Sequence, residues 1–186
     1  STGKMYDLEI NNWIDERKDV EKATRAAMRF LKDLHDDLGD WHLSLAAYNC
    51  GPGWIRRARR RAGNDTGDYW SIRHKLPRET RNYVPMYIAT ARITMQPQKY
   101  GFHPDSLLFE TPYKYETHPV TEAVHLSALA ECAGISLDSM ERLNPELRQS
   151  MTPPDKTYHI KLPVGAKKAF SVNYASLTQE QKRPWV

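Results

Sequence analysis

Two cysteines in 186 residues, Cys50 and Cys132, are too few for a disulfide scaffold. They form no C-x-x-C pair and stand in no zinc spacing. Both are therefore expected as buried free thiols, with a bond between them as the alternative in an oxidising compartment. No apolar stretch approaches the length that spans a bilayer, and the first residues carry no basic-then-apolar leader. The seven histidines include no His-x-x-x-His or Glu-His arrangement, so no metal site is expected. No Ser-His-Asp set can be argued from spacing, and no repeat or low-complexity segment appears. What remains is an ordinary globular balance, 40% hydrophobic and 27% charged. The net charge of +4 is a mild basic bias that suits an anionic partner, but its sign does not separate an acidic glycan from a nucleic acid.

The patterning is mainly helical, and the length suits one medium domain or one medium and one small. Val20, Ala23, Ala27, Phe30, Leu31, Leu34 and Leu38 recur at helical steps, and Gly39 supplies a stop. Asp40 caps a second, short helix to about Asn49 that is apolar on most faces and so reads as buried, Trp41 included. Cys50-Gly51-Pro52-Gly53 breaks it. A third helix, Trp54 to Ala62, carries Arg56, Arg57, Arg59, Arg60 and Arg61, which read as a solvated face. Pro77 opens a fourth, Arg78 to about Met95, where Pro85 should kink or divide it. Gln96 to Thr111 reads as a linker. Beyond Tyr113 the order becomes strand (Tyr115–Val120), helix (127–133), helix (137–143) and strand (Tyr158–Leu162). The expected division is a helical domain over 1–111, a β-α-α-β module over 112–165 and a C-terminal tail over 166–186, which opens on a helical stretch at 166–170 and is loosely ordered at its end.

Several pieces carry more than pattern. Leu45-Ala46-Ala47-Tyr48-Asn49-Cys50-Gly51-Pro52-Gly53 resembles the AAYN-x-G-x-G signature of the lytic transglycosylases, enzymes that cut the glycan strands of bacterial peptidoglycan. The pieces Asp15-Glu16-Arg17-Lys18-Asp19, Gly39-Asp40-Trp41, Asp68-Tyr69-Trp70 and Leu76-Pro77-Arg78-Glu79-Thr80-Arg81-Asn82-Tyr83-Val84-Pro85 follow, in order, the D-x-R-x-D, G-D-W, D-F-W and L-P-x-E-T-x-x-Y-V-P pieces of the membrane-bound murein transglycosylase D type. Downstream, Val124–Ala130, Gly134-Ile135-Ser136 and Leu143-Asn144-Pro145 resemble a degenerate LysM module, a fold that binds N-acetylglucosamine-containing glycans.

The resemblance implies a lysozyme-like helical domain, incomplete at its N-terminus, followed by a LysM-like module. It implies no metal or organic cofactor. One glutamate protonates the oxygen between N-acetylmuramic acid and N-acetylglucosamine. Its carboxylate then serves as base for the sugar's own 6-hydroxyl, closing a 1,6-anhydro ring. Such an acid needs an apolar pocket to stay protonated near neutral pH. In this family it sits in a Glu-Ser motif, followed by Gly-Leu-Trp-Gln or Gly-Leu-Met-Gln, and these residues contain neither motif. No catalytic residue is therefore expected in this chain. The glutamate is expected upstream of Ser1, and the chain alone is expected to be inactive.

The same resemblance points to Ala47, Tyr48, Asn49, Trp70 and Tyr83 as substrate-binding residues. Asn49 offers amide donors and a carbonyl acceptor that suit an N-acetyl group, against a helix-capping role that pattern alone favours. Tyr83 reads as neighbour to the acid, against a core position. Glu79, the tempting substitute acid, reads as structural at a helix start. The implied partners are peptidoglycan strands, whose stem peptides carry carboxylates, and the upstream segment of the same protein, with no nucleic acid. The implied place is the periplasm, with association to the outer membrane through the parent protein. A non-catalytic peptidoglycan-binding or scaffold module is the alternative.

Overall fold

The computed structural model describes residues 1–63, 65–109 and 112–182. The chain divides into two compact units, one formed by Ser1–Ala26 with Thr111–Val186, the other by Ala27–Glu110. The sequence alone assigns residues 1–26 to the helical domain, whereas in the fold they pack with the C-terminal residues.

Among its described residues, the second unit has helices as its regular structure. Helix α1 (Thr2–Met5) belongs to the other unit. Helix α2 (Val20–Leu38) runs through the division and ends at Gly39 with φ +68°. Its inner stripe is narrower than the periodicity suggests, for Leu34 and Leu38 are buried while Val20 is exposed. Asp40 caps α3 (Trp41–Cys50), its carboxylate accepting from Leu43 N at 2.7 Å. Leu43, Ser44, Leu45, Ala46 and Ala47 are all buried. Trp41, expected in the core, is 56% exposed and stacks on the His35 ring at 4.0 Å. It occupies the first turn, where the ring covers the end of α2 rather than entering the interior. Gly51, at φ +89°, turns the chain into α4 (Pro52–Ala62) with Pro52 in its first turn.

The arginines of α4 are outward, as expected. Arg56 pairs with Asp37 at 2.7 Å, Arg59 Nε donates to Gly67 O, and Arg57 lies over the Trp54 ring. Helix α5 (Tyr69–Ile72) is capped by Asp68 and leads to α6 (Arg78–Met95). Helix α6 continues through Pro85. That proline has no N–H to give to the Arg81 carbonyl one turn back. Tyr69 Oη at 3.0 Å and Arg73 Nε at 3.1 Å donate to that carbonyl instead. The helix is thus repaired from outside, which is why Pro85 is tolerated within it.

The first unit is built on an antiparallel pair, β1 (Glu116–Val120) and β2 (Tyr158–Leu162), in register Glu116↔Leu162 to Val120↔Tyr158. Between them come α7 (Leu126–Ala133) and α8 (Leu137–Leu143), giving the expected β-α-α-β order. The expected tail begins with α9 (Lys167–Ser176) and α10 (Gln179–Lys182), and residues 183–186 lie outside the described residues. Phe170 of α9 is wholly buried in the module core beside Leu129, Ile160 and Leu162. Such a ring contributes roughly 2–3 kcal/mol by leaving water, enough to hold the helix on the module.

The N-terminal residues are strapped to the same unit. Ile14 sits in its core and bridges Leu147, while Arg148 N donates to Trp13 O at 2.9 Å. Beneath lies a buried ionic network. Lys161 Nζ donates to Asp19 Oδ2 at 2.6 Å and Glu146 Oε1 at 3.0 Å, and Tyr158 Oη donates to Glu146 Oε1 at 2.6 Å. Burial works against the charge on Asp19, but Lys161 and the Lys22 backbone N–H outweigh it and hold the carboxyl below its usual range. Lys161 is likewise opposed by burial and still raised by its two carboxylates.

Candidate functional site

Tyr48 and Asn49 are delivered by the last turn of α3, where Ala47 closes the buried stretch and Gly51 ends the helix. Ala47 is itself fully buried and presents no surface to a ligand, so its contribution is to anchor that turn. Asn49 is tied to the first turn of α6. Thr80 Oγ1 donates to Asn49 Oδ1 at 2.7 Å, and Asn49 Nδ2 donates to Glu79 Oε1 at 3.2 Å. Thr80 is buried, so the first bond forms away from water and fixes the amide's orientation. The amide keeps a second N–H and an acceptor lone pair for a ligand. The Tyr48 ring, 39% exposed, rests on Phe30 at 5.6 Å.

Tyr83 lies one turn beyond Glu79 on α6 and packs half-buried against the unit's core. Burial pushes its phenol above the ordinary value, and the neighbouring Tyr48 and Tyr87 phenols add to the shift. Asn49, Glu79 and Thr80 therefore meet at one flank of α6, with the phenols of Tyr48, Tyr83 and Tyr87 as neighbours of one another. Glu79 stands exposed at the helix start, bound to Asn49. Thr80 and Tyr87 are contributors that sequence reasoning missed. The helical period from Tyr83 would have reached Tyr87.

Trp70 is not part of this group. It is 51% exposed, edge-on to Tyr69 and His42, and faces Pro85, Ile88, Ala89 and Arg92 of α6. At about 100° per residue, those positions lie on the opposite flank of the helix from Glu79, Tyr83 and Tyr87. The expected set thus divides in two: Tyr48, Asn49 and Tyr83 together, Trp70 apart.

Among the described residues, no group of three His, Cys, Asp or Glu could hold a metal ion, and no helix is long and apolar enough to cross a membrane. Cys132 is buried and Cys50 half-buried, both free.

Comparison with known proteins supplies the family. Residues 1–71 match the Transglycosylase SLT domain, and residues 114–179 match the LysM-like domain of lytic transglycosylase MltD. The chain is 32% identical over 153 residues to membrane-bound lytic murein transglycosylase D of Escherichia coli K12, covering 81% of this chain and 33% of that protein. It matches the protein of the same name from Escherichia coli O6:H1 (strain CFT073) equally, with the same coverage. The chain therefore spans about a third of the length of these curated relatives. Two family models in the order helical part then module, with an alignment running through most of the chain, have one reading: the chain belongs to the lytic transglycosylases of the membrane-bound murein transglycosylase D type.

Proposed function

We propose that this chain is part of a peptidoglycan lytic transglycosylase that cleaves the bond between N-acetylmuramic acid and N-acetylglucosamine and leaves a 1,6-anhydro end. The supporting observation is the Thr80–Asn49–Glu79 link, which holds a partly free amide near the phenols of Tyr48 and Tyr83 at the end of α3. Such a group orients an N-acetyl and hydroxyl-bearing ligand through hydrogen bonds. On this reading Tyr48, Asn49 and Tyr83 bind the glycan, and Ala47 holds the turn that carries them. The general acid is supplied by residues outside this sequence, since Glu79 stands in solvent and is occupied by Asn49. The transglycosylase part extends over residues 1–111, its first 26 residues packing with the LysM-like module that follows over 112–165, and the parent acts in the periplasm in association with the outer membrane.

The test is mass spectrometry of the products after incubation of the chain with purified sacculi, alone and joined to the Glu-containing segment of a relative. The joined protein is expected to release 1,6-anhydromuramic ends and the chain alone none. Anhydro ends from the chain alone would place a proton donor within these residues. None from either would favour the second reading, a binding or scaffold module.

A further inference from the structure

On the flank of α6 away from Asn49, Trp70, Arg73, His74, Arg78, Arg81 and Asn82 line a cleft of about 450 Å³. Three guanidinium groups converge there, and none of the three has an ion-pair partner among the described residues. Arg73 spends its Nε on the Arg81 carbonyl, and Arg81's own Nε is buried without an acceptor. Arg78 and Arg81 also lie in the opening turns of α6, where the helix dipole favours anions and disfavours cations. The lining holds no carboxylate. Glu79, the acid of that turn, faces the other flank and bonds Asn49. A cationic cleft left uncompensated in this way, with a buried donor in need of an acceptor, is complementary to an oxyanion. Next to it, across the Trp70 ring, a mainly apolar groove is lined by Pro85, Ile88, Ala89, Ile93 and Tyr100, with Arg92 among them. A ligand filling both would carry an anionic oxygen pair beside an apolar or sugar face.

We propose that this cleft is a second binding site, separate from the Tyr48–Asn49 group, that takes the free carboxylates of the peptides attached to the glycan strand. Its ligand class rests on the peptidoglycan reading above. The planar guanidinium fork matches a carboxylate bidentately, and the neighbouring Trp70 face packs against the apolar part of the same peptide. Trp70, grouped with the glycan-binding residues by sequence, is thereby assigned to peptide recognition.

The 186-residue chain labelled with nitrogen-15 is titrated with four probes. They are a disaccharide peptide with free carboxylates, the same compound with its carboxylates amidated, the peptide-free disaccharide, and inorganic phosphate. The free-carboxylate compound is expected to shift the Arg73 and Arg81 Nε–H signals and the Trp70 indole signal, and to bind about tenfold more tightly than the amidated one. Arg78→Gln and Arg81→Gln are each expected to weaken that compound about fivefold, the upper end for a solvent-accessible ion pair, and to leave the peptide-free disaccharide unchanged. Arg78 is exposed and outside the core, so its replacement leaves the fold intact. Equal binding of free and amidated peptides overturns the proposal. Phosphate moving the same signals as far at equal concentration also overturns it, making the cleft a general anion site. A peptide-free disaccharide that fails to move the Asn49 side-chain amide defeats the glycan reading instead, while the arginine signals still decide this one.

Discussion

The phenol of Tyr69 donates a 3.0 Å hydrogen bond to the backbone carbonyl of Arg81, the carbonyl that Pro85 leaves without its helical partner. The Asp68-Tyr69-Trp70 piece and the Tyr83-Val84-Pro85 piece are therefore coupled. Tyr69→Phe is expected to cost about 1 kcal/mol, with Arg73 still covering part of the carbonyl. In a Pro85→Ala background the restored N–H occupies the carbonyl, and the same change should cost close to nothing. Denaturant melts of the four proteins form the cycle. Additive effects would show that the proline and the phenol are independent.

Asn49 accepts from Thr80 and donates to Glu79, so replacing its amide by a carboxylate sets two like charges at hydrogen-bond distance. Asn49→Asp should destabilise the helical unit by about 1 kcal/mol at pH 7, with recovery as the pH falls to about 4 and one carboxyl takes a proton. Glu79→Gln should restore most of the loss at neutral pH. Thermal melts across pH test this, and a loss that ignores both pH and Glu79→Gln counts against the bond.

Lys161 is the cation between two buried carboxylates. Lys161→Met leaves Asp19 and Glu146 uncompensated and should cost about 3–5 kcal/mol. Hydrogen exchange of the β2 amides measures it. The amides of residues 13–16 should lose protection together with β2, because Asp19 and Ile14 tie that segment to the module. Loss confined to β2 would mean the strap stands without the ion network.

The first unit should weaken in acid. The Arg17 guanidinium, outweighing burial, holds Asp15 down at about 2, and Asp19 is also lowered. For carboxyls depressed in the folded state, stability is full above their unfolded value of about 3.9 and is lost as pH falls through the folded values. Stability should therefore decline from about pH 4 toward 2. Lys161, raised in the fold, loses its contribution only on the alkaline side and adds no slope here. His118 and His125, lowered by burial, act in the same direction as the carboxyls but from about pH 6.5 downward. Arg17→Gln isolates the Asp15 part. It should return the Asp15 carboxyl toward its ordinary value in an NMR titration and flatten the decline below pH 4. An unchanged titration would exclude the Arg17 pairing as the cause.

Much of the local structure was legible beforehand because it rests on near neighbours. Asp40, Gly39 and Gly51 mark helix ends through capping and positive φ, and the limits of α8 and β2 follow from period and turn residues alone. The family pattern grouped Ala47, Tyr48, Asn49, Trp70 and Tyr83 as one set, since its pieces belong together. Only the tertiary structure decided which side of α6 each piece meets. Trp70 stands on the far flank because α5 packs against the surface left by Pro85, not the surface of Tyr83. Only the fold joined Asp19 to Glu146 and Lys161, residues more than 120 positions apart, and moved the first 26 residues onto the C-terminal module. A period reports the angle of a side chain about its own helix. It carries no information on which distant element will fill that angle, for that depends on burial and charge compensation across the whole chain.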